Sequence, residues 1–397
     1  MRVGVYIPDS KPDGGGGYTF EQDVLGSLIK LVPHCKHEFV FFAHNPSKEL
    51  QDFWTKSTHV EMIRIKNASP LPVELIRKLN NKIMRKQRLY PSNLSFAVDK
   101  AEIDFLWCIT PFYYPVNVPY IATVWDLQHR LQPWFPEVGS IREWSFRENF
   151  YSMMLRRASY IITGTQAGAR EISFFYQIQE DRIRVLPHPT PAFALKVLED
   201  DIQAVLEKFR LSPDFLFYPA QFWSHKNHAN LLYAIKILRD KFAVSMNLVL
   251  AGSDNGNRDY IQQLARSLQI ENQVHILGFV SRRDLLALYQ SAFALAYVTY
   301  FGPENLPPLE AFAMNCPVIA SAVSGAEEQL GDAAILVNPN HPEDIARAVK
   351  DLLDDPSKRC QLIERGQARA SQWSGKDFVL GVFDILDEFE VVRRCWR

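Results

Sequence analysis

The sequence predicts an α/β protein built as two doubly wound domains, and three observations carry that expectation. The chain has 397 residues, more than one hydrophobic core usually holds. Short apolar runs alternate with helical patterns along its length, as in parallel sheets flanked by helices. A proline-rich break, Leu186-Pro187-His188-Pro189-Thr190-Pro191, interrupts the alternation midway and reads as an interdomain hinge.

The first half offers strands at Val3 to Ile7, Glu38 to Ala43, Val60 to Ile65, Phe105 to Ile109, Tyr120 to Trp125, Tyr160 to Thr163 and Ile183 to Leu186. The second half restarts with Phe215 to Pro219, Asn247 to Ala251, Val274 to Leu277, Ala292 to Val298, Pro317 to Ser321 and Ala334 to Val337. Ser224 is placed to cap a helix carrying Leu231, Leu232, Ile235 and Leu238 on one face, and Ser281 one carrying Leu285, Leu286 and Leu288. The final segment, Lys376 to Val392, is amphipathic through Phe378, Val379, Val382, Phe383, Leu386 and Phe389. Doubly wound sheets bind ligands at the carboxyl ends of their strands, so function is expected in the loops that follow the strands, around a cleft between the halves.

A hydrophobic share of 47 % is enough for two cores, and a net charge of −1 gives no global reason to expect nucleic acid. The five cysteines, Cys35, Cys108, Cys316, Cys360 and Cys395, have no metal-like spacing and read as reduced, mostly packing thiols of a cytoplasmic protein. No run approaches eighteen apolar residues and the chain opens directly on a strand, so neither a membrane span nor a signal segment is expected.

The run from Tyr300 to Ser321 is the most informative. A strand ending at Val298 feeds a turn rich in Gly, Pro and Asn; Asn305 suits an N-cap, and Pro307 and Pro308 suit a first helical turn. Glu310 falls early on that helix, near its positive end, facing a ligand over the turn. Pro317 to Ser321 then reads as a buried strand.

At these residues the chain resembles the retaining nucleotide-sugar glycosyltransferases of family 4, also called glycosyltransferase group 1, which adopt the GT-B fold of two Rossmann-like domains facing a central cleft. The resemblance implies an acceptor-side domain at residues 1–190, a nucleotide-sugar domain at 191–375, and a last helix at 376–397 that crosses back to the first domain. The family carries a glutamate for the donor sugar, seven residues, and a second glutamate for the ribose. Glu310 matches the second. The first falls on Gly302, or on Thr299 if three residues are inserted, which leaves Glu304 and Asn305, beside Leu306, to take over the sugar.

Lys226 follows the first strand of the second half at a helix start, where a compact charge and free N–H groups together suit a diphosphate. Five residues earlier the family has an arginine and this chain has Gln221, so either Gln221 or His225 contributes at the leaving group, or activity is reduced. Gly14, Gly15, Gly16 and Gly17 form a loop without β-carbons that allows close approach of a ligand; it lacks the dinucleotide spacing, and by resemblance it lines the cleft. Gly252, Phe279 and Val280 stand where the family holds the nucleotide. In Trp125-Asp126 a tryptophan replaces the histidine of a His-Asp pair found in many relatives; Asp126 is a candidate to orient a sugar, and His129 to take the acceptor proton.

The resulting expectation is a metal-independent, cofactor-free transferase. It moves a sugar from a GDP- or UDP-type donor to a hydroxyl of a saccharide or lipid-linked saccharide in surface polysaccharide synthesis. A basic amphipathic segment, Leu75 to Leu89, adds an expected contact with an anionic membrane on the cytoplasmic face. A non-catalytic sugar-nucleotide or glycan binder of the same fold, or an epimerase or phosphorylase, is the alternative.

Overall fold

A computed structural model describes residues 1–8, 15–46, 51–52, 55, 60–65, 93–111, 115–196 and 202–396. The basic segment from Leu75 to Leu89 and Gly14 lie outside these residues.

Among the described residues, thirteen strands form two sheets. The first contains β1 (Arg2–Ile7), β2 (Glu38–Ala43), β3 (Val60–Arg64), β4 (Phe105–Cys108), β5 (Tyr120–Thr123), β6 (Tyr160–Thr163) and β7 (Ile183–Val185) in the order β3-β2-β1-β4-β5-β6-β7. The second contains β8 (Phe215–Pro219), β9 (Leu248–Ala251), β10 (Val274–Gly278), β11 (Ala292–Tyr297), β12 (Val318–Ser321) and β13 (Ala334–Val337) in the order β10-β9-β8-β11-β12-β13. Every pairing is parallel. Each expected apolar run is therefore a strand, and four consecutive buried residues from Phe215 to Tyr218 show why: a central parallel strand is covered on both faces. The strand order reverses between β1 and β4 and again between β8 and β11, the switch points where such sheets open a crevice.

The helices that bear on the site are α1 (Gly16–Leu31), α2 (Pro136–Gly139), α3 (Gln166–Tyr176), α4 (His228–Phe242), α5 (Arg282–Ser291), α6 (Leu306–Ala313), α7 (Ala326–Leu330) and α8 (Gly375–Arg393). Ser281 caps α5 by accepting from the Asp284 N–H. Ser224 does not cap α4: it starts a 3-10 turn, and Asn227, in the left-handed conformation, stands between that turn and the helix. Asn227 instead donates to the carbonyls of Val298 and Pro339.

The last helix, α8, packs on the first sheet and on α1. A capping box between Ser374 and Asp377 starts it, and Phe378, Val382, Leu386 and Phe389 are buried along one stripe. Phe389 meets Phe105 at 4.6 Å and Phe383 meets Phe39 at 5.6 Å. Cys108 and Cys316 are packing residues, whereas Cys360 and Cys395 are exposed. Among the described residues no helix is long and apolar enough to cross a membrane.

Candidate functional site

The start of α1 and the loops after β8 and β11 meet between the two sheets. Gly15 caps α1 with φ 70°, a conformation that favours glycine, and a β-carbon on it would stand 3.8 Å from Gln221 Nε2. One on Gly16 would stand 3.7 Å from Leu306 Cδ1, and one on Gly17 would lie 3.1 Å from the Trp125 ring. The glycine loop thus brings the N-terminus of α1 against the N-terminus of α6. Two helix N-termini with positive dipole ends converge on one place, which favours an anion; Pro307 and Pro308 carry no N–H, so the first turn of α6 offers fewer donors than that of α1.

Lys226 lies at the same switch point, in the 3-10 turn after β8. Its Nζ donates to the Tyr297 hydroxyl at 3.1 Å, and its carbonyl accepts from the Tyr218 hydroxyl at 2.5 Å. Beside it, Gln221 Oε1 accepts from the Trp223 indole at 2.9 Å. His225 is buried, stacked on Phe301 at 4.0 Å, and its backbone N–H and Nδ1 both donate to Glu137 Oε1, at 2.8 and 2.7 Å. Burial pushes the imidazole down to about 4 against the pull of Glu137. Held neutral by the fold and already partnered, His225 is not a second cation for the position where Gln221 replaces arginine.

Glu310 sits one turn into α6 and is buried, and its carboxylate accepts from the Tyr289 hydroxyl at 2.8 Å. Burial raises it to about 7, opposed by that hydrogen bond and by Arg282. Glu310 falls early on α6 as expected, and the Tyr289 hydroxyl and Arg282 favour its charged form against burial.

The turn before α6 departs from the expected sugar contacts. Thr299 is buried with its hydroxyl on the His225 carbonyl at 3.3 Å and accepts from the Phe301 N–H, so it does not stand in for a glutamate. Gly302 has φ 101°, and a β-carbon there would lie 2.7 Å from the Asn305 amide; in this loop the position does not hold a side chain. Glu304 reaches across to the first half, where Oε1 accepts from the His188 N–H at 2.7 Å and the carboxyl fills the space over Gly164. Burial raises it to about 8, lowered by the His188 N–H and raised again by Glu328. Asn305 occupies the N-cap position without a side-chain cap: its amide donates to the Gly302 carbonyl at 3.1 Å and accepts from Tyr297.

The first-half candidates separate. Asp126 is half-buried, accepts from the Gln128 N–H and pairs with Arg147 at 3.1 Å. His129 does not reach the cleft. It is fully buried, stacked on Tyr151 and 3.1 Å from the Tyr176 hydroxyl, and burial together with Arg147 lowers its pKa against Glu148; it is a core residue rather than an acceptor base. In the second half, Gly252 is a packing requirement: a β-carbon would stand 2.3 Å from the Ala220 carbonyl oxygen. Phe279 is 62 % exposed beyond β10, and Val280 is half-buried.

Sequence reasoning missed Glu137, Gln132, Tyr297 and Glu328. Gln132 donates to the Tyr300 carbonyl, and Glu328 accepts from the Gln166 and Ala167 N–H groups at the start of α3. Tyr297 was findable as the last residue of a central strand; the others depend on which surfaces the two halves bring together. Among the described residues, one group has metal-ligand spacing: His37, Asp387 and Glu390, at the amino ends of the first sheet, where Lys36 pairs with both acids.

Residues 201–369 match the model of the family described as glycosyl transferases group 1. O-antigen chain mannosyltransferase B of Escherichia coli is 25 % identical over 365 residues, 91 % of this chain and 92 % of that protein. O-antigen chain mannosyltransferase RfbU of Salmonella typhimurium is 26 % identical over 239 residues, 59 % of this chain and 62 % of that protein. In fold, the chain superposes on Anabaena Alr3699/HepE, solved in complex with UDP and glucose, with a TM-score of 0.70, 18 % identity, and coverage of 98 % of this chain and 100 % of that one. The chain thus resembles the group 1 glycosyl transferases in sequence across its second half, and its two parallel sheets of seven and six strands have the GT-B arrangement.

Proposed function

We propose that the protein is a retaining, metal-independent glycosyltransferase. It moves a hexosyl residue, mannose by analogy with the O-antigen relatives, from a GDP- or UDP-type sugar donor to a hydroxyl of a saccharide or lipid-linked saccharide in surface polysaccharide synthesis. One observation supports this reading above the others. Lys226 and the N-termini of α1 and α6 converge at the β8–β11 switch point, as a departing diphosphate requires. The bond between the anomeric carbon and the diphosphate oxygen breaks, the acceptor oxygen bonds to that carbon, and the acceptor proton is lost. The protein's share is to hold the leaving charge with prearranged positive groups. Glu310 takes the ribose in this reading, and the backbone after β10, at Phe279 and Val280, takes the base.

Incubating the protein with GDP-mannose, UDP-glucose and UDP-N-acetylglucosamine, with and without a mannosyl acceptor, tests the reading. Transfer that survives exhaustive chelation is expected. Nucleotide binding without hydrolysis or transfer would favour a non-catalytic binder, and activity that only magnesium or manganese restores would overturn the metal-independent part.

A further inference from the structure

The ammonium of Lys226 does not sit alone at the switch point. It donates to the Tyr297 hydroxyl at 3.1 Å; Tyr297 donates to Asn305 Oδ1 at 3.2 Å; and the Asn305 amide donates to the Gly302 carbonyl at 3.1 Å and the Phe301 carbonyl at 3.4 Å. Every donor in this chain points the same way, from the lysine to the backbone of the turn between β11 and α6. Such an aligned chain polarises its members, so each bond strengthens the next.

Each member is separately fixed. Tyr297 ends β11, is 4 % exposed, and stands edge-on to Tyr218 at 5.4 Å, while Tyr218 holds the carbonyl of Lys226 itself. Asn305 is clamped through its backbone, since its N–H donates to Gln329 Oε1 and its carbonyl accepts from Gln329 Nε2, each at 2.9 Å. Gly302 leaves room for the Asn305 amide and for nothing larger. Lysine otherwise has a long, mobile stem and a charge without direction. Here one of its three ammonium protons is assigned, and its Nζ lies 5.4 Å from the centre of the Tyr297 ring.

We propose that Tyr297 is a positioning residue. Acting through Lys226, it aims the ammonium at the diphosphate and ties that aim to the turn that Asn305 holds. The proposal rests on the reading of Lys226 as the diphosphate ligand. It also accounts for how a site with Gln221 in place of a second permanent cation manages with one lysine: the remaining charge is preoriented, so less freedom is lost when the ligand binds.

The test is a double-mutant cycle on Tyr297→Phe and Lys226→Ala, read by calorimetric titration with UDP, GDP, UMP and GMP. Tyr297→Phe keeps the ring and its packing and loses only the hydroxyl. It is expected to weaken the diphosphate that the protein prefers on the order of 5- to 10-fold, about the worth of one ordinary hydrogen bond, and to leave the monophosphate unchanged. In the Lys226→Ala background the same change is expected to have no further effect, because the tyrosine acts through the lysine. Equal weakening of monophosphate and diphosphate, or additive effects in the double variant, would return Tyr297 to a packing role while leaving Lys226 as the ligand. Diphosphate binding unaffected by Lys226→Ala alone would overturn the reading of Lys226, and the tyrosine's role with it.

Discussion

The two ends of the sheets are held by different chemistry. At the amino ends of the first sheet, acids meet cations. Arg2 pairs with Glu38 and Glu61, Lys36 lies 3.0 Å from both Asp387 and Glu390, and Arg393 lies 2.7 Å from Asp104. At the carboxyl ends Asp126 pairs with Arg147, but the acids that cross between the halves meet peptide N–H groups: Glu137 on His225, Glu304 on His188, and Glu328 on Gln166 and Ala167, with Arg170 only at the edge of the last. The Arg2 pairs link neighbouring strands and the Lys36 and Arg393 pairs tie α8 to its sheet, all in partly exposed positions where each contributes little. The crossing acids join one half of the chain to the other without using its cations, which leaves Lys226 its charge for a ligand.

Removing that charge gives the largest expected effect. Lys226→Ala should lower transfer about 10²- to 10³-fold, the usual cost of one good electrostatic donor at a leaving group, measured as sugar transferred at saturating donor. Loss of less than about threefold would leave the carboxyl ends no more functional than the amino ends.

Next comes the seam between the halves. A β-carbon at Gly164 would stand 1.2 Å from Glu304 Oε2, so Gly164→Val should destabilise by about 1–3 kcal/mol through overpacking and expand the molecule in small-angle scattering. Adding Glu304→Ala should restore part of the compactness. A Gly164→Val protein with parental stability and dimensions would mean that the seam does not depend on this contact.

The third test uses pH. Burial raises Glu304 to about 8 from an ordinary 4.5, so its contribution to stability is complete below about 4.5 and is lost as pH rises through about 8. Glutamine does not titrate. The Tm of the parent relative to Glu304→Gln should therefore fall between about pH 5 and about pH 9, and a constant difference would show that the acid is not desolvated at this seam.

At the amino ends, Asp104→Ala should cost no more than about 1 kcal/mol in urea unfolding, despite the paired contact with Arg393. A loss several times larger would erase the contrast between the two ends of the sheet.

The fold was legible because the central strands, such as β4, β5, β8, β9 and β11, are runs of buried residues bounded by turn formers, and burial on both faces writes itself into composition. The placement of Glu310, Lys226 and Gly15 to Gly17 beyond strand ends was legible because each follows an apolar run at short spacing. His129 misled because a histidine two turns beyond a strand reads the same whether it faces solvent or packs on Tyr151. Glu304 misled for a different reason: its partner, the His188 N–H, is 116 positions away in sequence, and no local pattern encodes which half of the molecule a loop acid will turn toward. Glu137 escaped notice for the same reason, 88 positions from His225.

The proline-rich segment from Leu186 to Pro191 lies beside Trp373, just before the last helix. The Thr190 N–H donates to the Trp373 carbonyl at 3.2 Å, and the Trp373 indole donates to the Pro187 carbonyl at 2.8 Å. The two halves are therefore bound along a spine, as covers are to a book. An opening of the cleft about that spine would draw each contact across it apart in proportion to its distance from Trp373.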